Sequence, residues 1–136
     1  MKELTVSPIN TEALPEVIAF VEEELQKTGC PLKALHQVVI AVEEIFVNIA
    51  RYAYHPEVGD ATIRCTVDKE PLRITIQFLD RGKPYNPLER TPPDTALPPE
   101  ERDIGGLGIL LVRRTMSHID YAYKDGLNIL TLRKDL

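Results

Sequence analysis

The sequence predicts an α+β fold, namely a two-layer α/β sandwich in which helices pack on one face of a mixed, mostly antiparallel sheet. Two pairs of segments with apolar–polar alternation predict strands joined by tight turns. Two segments with apolar residues at helical spacing precede the first pair, and a third precedes the second pair. Antiparallel strands with one buried face require helices on that face, which gives the two layers.

The first half of the chain is predicted to form a strand and then two helices. Apolar residues alternate with polar ones at residues 4–6 and recur at helical spacing over 14–25, until Gly29 ends the pattern. The second helix is predicted to begin near Pro31, because proline is well tolerated in a first helical turn. The periodic run over 32–54 predicts the longest helix of the chain.

The strands of the second half are predicted as two antiparallel pairs. Alternation over 61–67 and 72–78 indicates the first pair. The second pair lies within 119–133 and is centred on Asp125-Gly126, a strong hairpin signal. With the first strand, this gives a sheet of five strands.

Six prolines fall between the two strand pairs, so this part of the chain is neither a helix nor a central strand. We expect a loop over residues 85–104, and long loops in compact domains are usually functional lids, binding loops or disordered segments. A helix is predicted over 107–116. The prolines are Pro84, Pro87, Pro92, Pro93, Pro98 and Pro99.

Length and composition predict one domain over residues 1–136. A chain of 136 residues that is 43% apolar can bury a core without disulfides or a structural metal. No stretch approaches the roughly 20 apolar residues that span a bilayer, and residues 1–4 do not start a signal peptide. We therefore expect a cytoplasmic protein that binds no membrane. The net charge of -5 argues against nucleic-acid binding through the overall field.

The two cysteines, Cys30 and Cys65, are expected to be reduced thiols. One pair makes no disulfide framework in a chain of this size, and neither cysteine has the spacing of a metal site.

A polar stripe is predicted along the long helix, because four polar residues recur at i, i+4, i+7 and i+11. Tyr52 borders the stripe, and Glu43 points about 100° away from its neighbour, so Glu44 is the better candidate for a functional acid. For four polar residues on an arbitrary helix, a solvated surface face is the more common explanation. The stripe consists of Glu44, Asn48, Arg51 and His55.

A second candidate segment is Asp80-Arg81-Gly82, directly after an apolar strand. A carboxylate there can accept a hydrogen bond from an exocyclic amine, and glycine lets a flat ring approach the backbone. Taken alone, the pattern is more often a simple turn.

A third segment, Gly105-Gly106-Leu107-Gly108, opens directly into a helix. Glycines at a helix N-terminus leave free N–H groups and the positive end of the dipole for phosphates. Glycines also commonly start helices without binding anything.

In order and spacing, the three segments resemble the N, G1 and G2 boxes of the GHKL superfamily, which includes gyrase, the heat-shock chaperone ATPases, histidine kinases and MutL. The resemblance covers roughly residues 32–116, and the predicted element order extends it along the chain. It implies a Bergerat-type ATP-binding fold with ATP and Mg²⁺ as cofactors. The segments 41–48 and 105–112 look most like the anti-sigma factor serine/threonine kinases.

The resemblance also implies a role for each candidate residue. Asn48 takes the position that coordinates Mg²⁺, and Glu44 takes that of the general base one helical turn earlier. Asp80 matches the acid that reads the adenine amino group, and Gly82 the glycine under the ring. The remaining nucleotide-binding positions are Arg51 and Tyr52 on the helix, Gly105, Gly106, Leu107 and Gly108 near the phosphates, and the loop 85–104 as the lid.

Pro84 departs from the pattern of gyrase and many histidine kinases, which carry a second glycine in the G1 box. Proline at this position fits the anti-sigma kinases.

The predicted function is therefore that of an ATP-binding anti-sigma regulatory factor that phosphorylates a serine or threonine of a STAS-type antagonist. Glu44 favours a hydroxyl acceptor, because a carboxylate can take its proton, whereas the imidazole acceptor of a histidine kinase needs no such base. The resemblance implies a sigma factor and a STAS-domain protein as partners, and a homodimer.

Two other functions stay open at this point. The first is a nucleotide-dependent partner-binding module without kinase activity, in which ATP orders the lid and creates a surface for a partner. The second is a structural domain that binds no nucleotide, which requires three motifs to coincide by accident. His36, His55 and His118 are isolated and are expected to be ordinary surface or core residues.

Overall fold

The computed structural model describes residues 1–52, 59–89 and 106–136, which form five strands and three helices. The strands are β1 (Lys2–Val6), β2 (Ala61–Lys69), β3 (Leu72–Asp80), β4 (His118–Lys124) and β5 (Leu127–Asp135). The helices are α1 (Leu14–Gln26), α2 (Leu32–Tyr52) and α3 (Gly106–Thr115), with short 3₁₀ turns at Thr11–Ala13 and Pro87–Glu89.

The predicted order of elements is confirmed, with bounds that differ by a few residues. β3 extends two residues beyond the predicted strand, so that Asp80 is its last residue. The predicted end of α2 near Tyr54 lies outside the described residues, as does most of the loop 85–104.

The strands form one sheet in the order β1-β2-β3-β5-β4. All four pairings between the described strands are antiparallel, so the sheet lacks the parallel component that we expected of a mixed sheet. The reason is the return path of the chain: β4 takes the outer position and the hairpin then brings β5 back between β4 and β3. The two predicted strand pairs therefore join along β3 and β5.

The helices cover one face of the sheet, as predicted for a two-layer sandwich. α2 contacts both α1 and α3, and it buries an apolar side against the sheet. Alternate residues of β2, β3 and β5 face this side. The largest side chains of the shared core are Phe46, Phe78, Leu25, Ile45, Ile63, Ile74, Ile76, Leu130 and Leu132.

The hairpin between β4 and β5 sets the position of β5 in the sheet. Asp125 and Gly126, predicted as the hairpin turn, have φ angles of 54° and 77°, and a type I′ turn requires positive φ at both positions. A turn of fixed length fixes the register of the strands that it joins. The register of β5 against β3 then places Asn128 directly opposite Asp80.

Within the described ranges, no helix is both long and apolar enough to cross a membrane. Both cysteines are free thiols, as predicted. Cys65 is buried in β2, whereas Cys30 is half-buried after α1.

The two thiols should differ strongly in reactivity. Burial, with a smaller contribution from the charge of Glu24, raises the pKa of Cys65 to about 12. Because only the thiolate reacts, we expect iodoacetamide to alkylate Cys30 in the native protein and Cys65 only after unfolding in guanidinium. Mass spectrometry of peptides from both conditions measures this. Equal alkylation rates of the two cysteines in the native state would contradict the packing of β2.

Candidate functional site

Three polar side chains are buried among the residues that the structure describes, namely Asn48, Asp80 and Asn128. They come from α2, β3 and β5. Buried polar groups are uncommon and need hydrogen-bond partners, so a cluster of them identifies a special site. The same cluster contains two of the candidate residues predicted from the sequence.

Asn48 lies in α2 with only 3% of its surface exposed. Its Nδ2 donates a hydrogen bond of 2.7 Å to the carbonyl oxygen of Glu44, one helical turn earlier. Its Oδ1 accepts a hydrogen bond of 3.4 Å from the hydroxyl of Tyr85. These contacts orient the carboxamide, so the interpretation of the whole stripe as a solvated face is wrong for Asn48.

The rest of the stripe becomes more exposed on either side of Asn48. Glu44 is half-buried, whereas its neighbour Glu43 is exposed, which agrees with the predicted difference in direction. Arg51 is exposed in the last turn of α2. Tyr52 is the final residue of that helix, and His55 lies outside the described residues.

The carboxyl group of Glu44 lies against Gly108 of α3. A Cβ atom added at Gly108 would come within 3 Å of both carboxyl oxygens of Glu44. A residue without a side chain is therefore needed here for the Glu44 carboxylate to reach the first turn of α3. This contact links two of the three segments predicted from the sequence, one on α2 and one on α3.

The N-terminus of α3 supplies the backbone groups that the glycine motif predicted. Gly106 is the first residue of the helix, and Leu107 and Gly108 follow in its first turn. The first N–H groups of a helix have no partner within the helix and can bind anions. Gly105 and the remainder of the loop before it lie outside the described residues.

Asp80 ends β3 on the face of the sheet that the helices cover, with 3% of its surface exposed. Its Oδ1 accepts hydrogen bonds of 2.9 Å from the backbone N–H of Gly82 and from Nδ2 of Asn128. Gly82 is itself buried. The Asp-x-Gly segment is thus a turn, but one whose carboxylate faces the interior.

Asn128 is a site residue that the sequence reasoning missed. Its carboxamide joins β5 to β3, to the segment after β3 and to β4. The available signal was an asparagine at an inward position of a strand, followed by Leu130 and Leu132 on the same face. Its partners are Asp80, the carbonyls of Gly82 and Lys83, the N–H of Tyr85 and the hydroxyl of Tyr121.

Burial and hydrogen bonding act on the acidity of the site in opposite directions. Burial raises the pKa of Asp80 above its ordinary value, whereas the hydrogen bonds from Asn128 and Gly82 lower it. Burial also raises the pKa of Tyr121, which keeps the phenol protonated as a donor to Asn128. The two hydrogen bonds therefore offset part of the cost of burying a charged carboxylate at this position.

A small cavity of about 10 Å³ lies beside Asp80. This volume is close to that of one water molecule and far below the roughly 300–1,000 Å³ of small-molecule sites. The lining residues are Ile49, Phe78, Asp80, Tyr85, Pro87, Tyr121, Asn128 and Leu130.

Residues 8–134 match the family model of the histidine kinase-like ATPase domain. Among curated proteins, the chain is 29% identical over 93 residues to the serine/threonine-protein kinase BtrW of Bordetella bronchiseptica, covering 68% of this chain and 65% of that protein. It is 29% identical over 106 residues to the serine-protein kinase RsbW of Bacillus cereus, covering 76% of this chain and 66% of that protein. The chain thus spans slightly less than two thirds of the length of these relatives.

Two solved structures have the same fold. A chain in the crystal structure of the SiaB–SiaC complex from Pseudomonas aeruginosa matches with a TM-score of 0.58 and 17% identity, covering 100% of this chain and 90% of that one. The histidine kinase domain of a blue-light activated kinase from Erythrobacter litoralis matches with a TM-score of 0.57 and 14% identity, covering 95% of this chain and 61% of that one. The family match over nearly the whole chain, the shared fold and the serine kinases among its relatives lead to one conclusion: the chain belongs to the histidine kinase-like ATPase domain family, the GHKL type.

Proposed function

We propose that this chain is an ATP- and Mg²⁺-dependent protein serine/threonine kinase that acts as an anti-sigma regulatory factor and phosphorylates a STAS-type antagonist. The observation that carries the proposal is the position of Glu44. It lies one helical turn from the buried Asn48 and against Gly108 in the first turn of α3. An acid between a metal-binding amide and a phosphate-binding helix end suits transfer to a hydroxyl group. The names of the two serine kinases among its relatives support this choice of acceptor.

Asp80 is the proposed reader of the adenine base. Its Oδ1 is held by Gly82 and Asn128, so the other carboxylate oxygen can accept a hydrogen bond from the 6-amino group. Guanine carries an oxygen at the same position, and two acceptors would repel each other. The site should therefore prefer ATP to GTP.

Asn48 fits the Mg²⁺ that the family implies. Its Nδ2 donates to the carbonyl of Glu44, and its carbonyl oxygen Oδ1 is a hard ligand of the kind that Mg²⁺ takes. Tyr85, whose hydroxyl contacts the same oxygen, would have to release it. Bound Mg²⁺ neutralises phosphate charge during transfer.

Glu44 is the proposed general base, which would take the proton of the acceptor hydroxyl as its oxygen attacks the terminal phosphorus of ATP and the bond to the ADP leaving group breaks. The first turn of α3, with Gly106 and Gly108, would hold the phosphates through backbone N–H groups. Arg51, exposed in the last turn of α2, is proposed to lie near the phosphates. Tyr52, at the end of that helix, is proposed to lie near the ring.

The remaining parts of the proposal rest on the resemblance to the anti-sigma kinases. We propose a single domain over residues 1–136, a cytoplasmic location, a homodimer, and binding of a sigma factor in the ATP-bound state. The loop 85–104 is proposed as the lid over the nucleotide. A nucleotide-dependent binding module without kinase activity is the competing function that the experiments below separate.

Replacing Asp80 with Asn should weaken ATP binding by about 10- to 100-fold, because a hydrogen bond to a charged group contributes about 1.5–3 kcal/mol. The fold should persist, since the Asn oxygen can still accept from Gly82 and Asn128, while its amide group would oppose the 6-amino group. Calorimetric titration with Mg-ATP measures the affinity. Asp120→Asn, an exposed acid of β4, is the control. Unchanged ATP affinity of the Asp80→Asn variant would refute the proposed contact between Asp80 and adenine.

Replacing Glu44 with Gln should lower phosphate transfer by about 100-fold or more and leave ATP affinity unchanged, since a general base contributes about 10²–10⁴-fold. The assay adds purified protein and labelled ATP to an extract of the source organism and identifies the labelled protein by mass spectrometry. Glu43→Gln, the exposed neighbour on the same helix, is the matched control and should stay active.

Three outcomes of this assay are informative. Label on a STAS-domain protein that depends on Glu44 supports the kinase. Phosphate transfer that persists in the Glu44→Gln variant refutes the proposal that Glu44 is the general base. If no protein is labelled, but affinity capture with the wild-type protein from the same extract retains a partner only when Mg-ATP is present, the binding module is supported instead.

Replacing Gly108 with Ala should lower phosphate transfer without lowering stability. The added Cβ would displace the carboxyl group of Glu44, whereas alanine in a helix is about 1 kcal/mol more favourable than glycine. Thermal unfolding and the transfer assay measure the two effects, with the exposed Leu111→Ala on the same helix as the control. Full activity of Gly108→Ala would show that the contact with Glu44 is not needed for transfer.

A further inference from the structure

Asn128 is 4% exposed and uses both ends of its carboxamide. Nδ2 donates to Oδ1 of Asp80 and to the carbonyl of Lys83, both at 2.9 Å. It also lies 3.3 Å from the carbonyl of Gly82. Oδ1 accepts from the backbone N–H of Tyr85 at 3.0 Å. One side chain therefore fixes the acid of β3 and the backbone that follows it.

The two hydrogen bonds of the Asp80 carboxylate end on the same oxygen. Both Gly82 N–H and Asn128 Nδ2 donate to Oδ1. Among the described residues, none donates to Oδ2. With Oδ1 held from two sides, the carboxylate cannot rotate freely and Oδ2 keeps one direction.

Asparagine is suited to this position because it combines two N–H donors with a carbonyl acceptor on a short planar group. An aspartate would offer no donor to Asp80, and a serine would offer only one. The second acceptor position of Asn128 is taken by the hydroxyl of Tyr121, which reaches diagonally from β4. A side chain of β4 therefore also restrains the carboxamide of Asn128.

We propose that Asn128 is a positioning residue for base recognition, which aims Oδ2 of Asp80 at the 6-amino group of a purine nucleotide and holds the backbone of residues 82–85 beside the ring. The inference rests on the proposed function, because it requires that Asp80 reads the base. It adds a residue from β5, outside the three sequence motifs, to the determinants of nucleotide specificity.

The test compares two ligands that differ only in the 6-amino group, ATP and purine riboside 5′-triphosphate. Wild-type protein should bind ATP at least about tenfold more tightly, as expected for one hydrogen bond to a charged group. In Asn128→Ala this ratio should fall close to one, because Asp80 is no longer aimed. Fluorescence or calorimetric titration with Mg²⁺ gives both affinities without any need for kinase activity.

Two further variants guard against a loss of folding and against a general effect on β5. Asn128→Val keeps a side chain of high strand propensity while it removes both hydrogen-bonding groups, so it gives the same readout if Asn128→Ala is unstable. Thr131→Ala removes a different hydrogen bond of β5, that with Gln77, and should keep the wild-type ratio.

The outcomes separate this inference from the proposed function. If Asn128→Ala and Asn128→Val bind both triphosphates more weakly but keep the wild-type ratio, Asn128 is only structural and the inference is overturned. If wild-type protein does not distinguish the two triphosphates, Asp80 does not recognise the 6-amino group. The inference then fails together with this part of the proposed function. Loss of the ratio in both variants, with Thr131→Ala unchanged, supports the inference.

Discussion

The buried hydrogen bond between Asp80 and Asn128 is the interaction on which the candidate site depends. It joins the two central strands where β3 ends, and it offsets part of the cost of burying a carboxylate. Without a donor at position 128, burial would favour the protonated acid and Oδ1 would lose one of its two restraints. The Asp-Gly turn between β4 and β5 sets this pairing, because it fixes the register that brings the two residues opposite each other.

The second constraint is the close approach of α2 and α3. Gly108 lets the carboxylate of Glu44 lie against the first turn of α3, while Asn48 lies one turn further along α2. Tyr85 connects this helix layer to the sheet, since its hydroxyl contacts Asn48 and its N–H contacts Asn128. The proposed base-reading and phosphate-binding parts of the site are therefore joined through one tyrosine.

Periodicity and turn chemistry predicted nearly all of the fold, because most of the elements bury one face and have clear ends. The sequence motifs also singled out Glu44, Asn48 and Asp80 as candidate site residues. Polar residues at regular helical spacing, or at the end of an apolar strand, can be recognised from the sequence alone. Asn128 was missed because it contributes to the site through its hydrogen bond with Asp80, which is 48 residues away in the sequence. No local sequence pattern reveals that the two residues are paired in the sheet. The roles of these residues stay predictions, and those of Gly105 and most of the lid lie outside the described residues.

The site is assembled from three elements that lie far apart in the sequence, α2, β3 and β5. An unfolded chain cannot hold Asn48, Asp80 and Asn128 together, so a ligand of this site binds the native state almost exclusively. By mass action, a ligand at 100 times its dissociation constant then adds about 2.7 kcal/mol to the free energy of unfolding. If that ligand is ATP, as proposed, its concentration would set the folded fraction of the protein as well as the occupancy of the site.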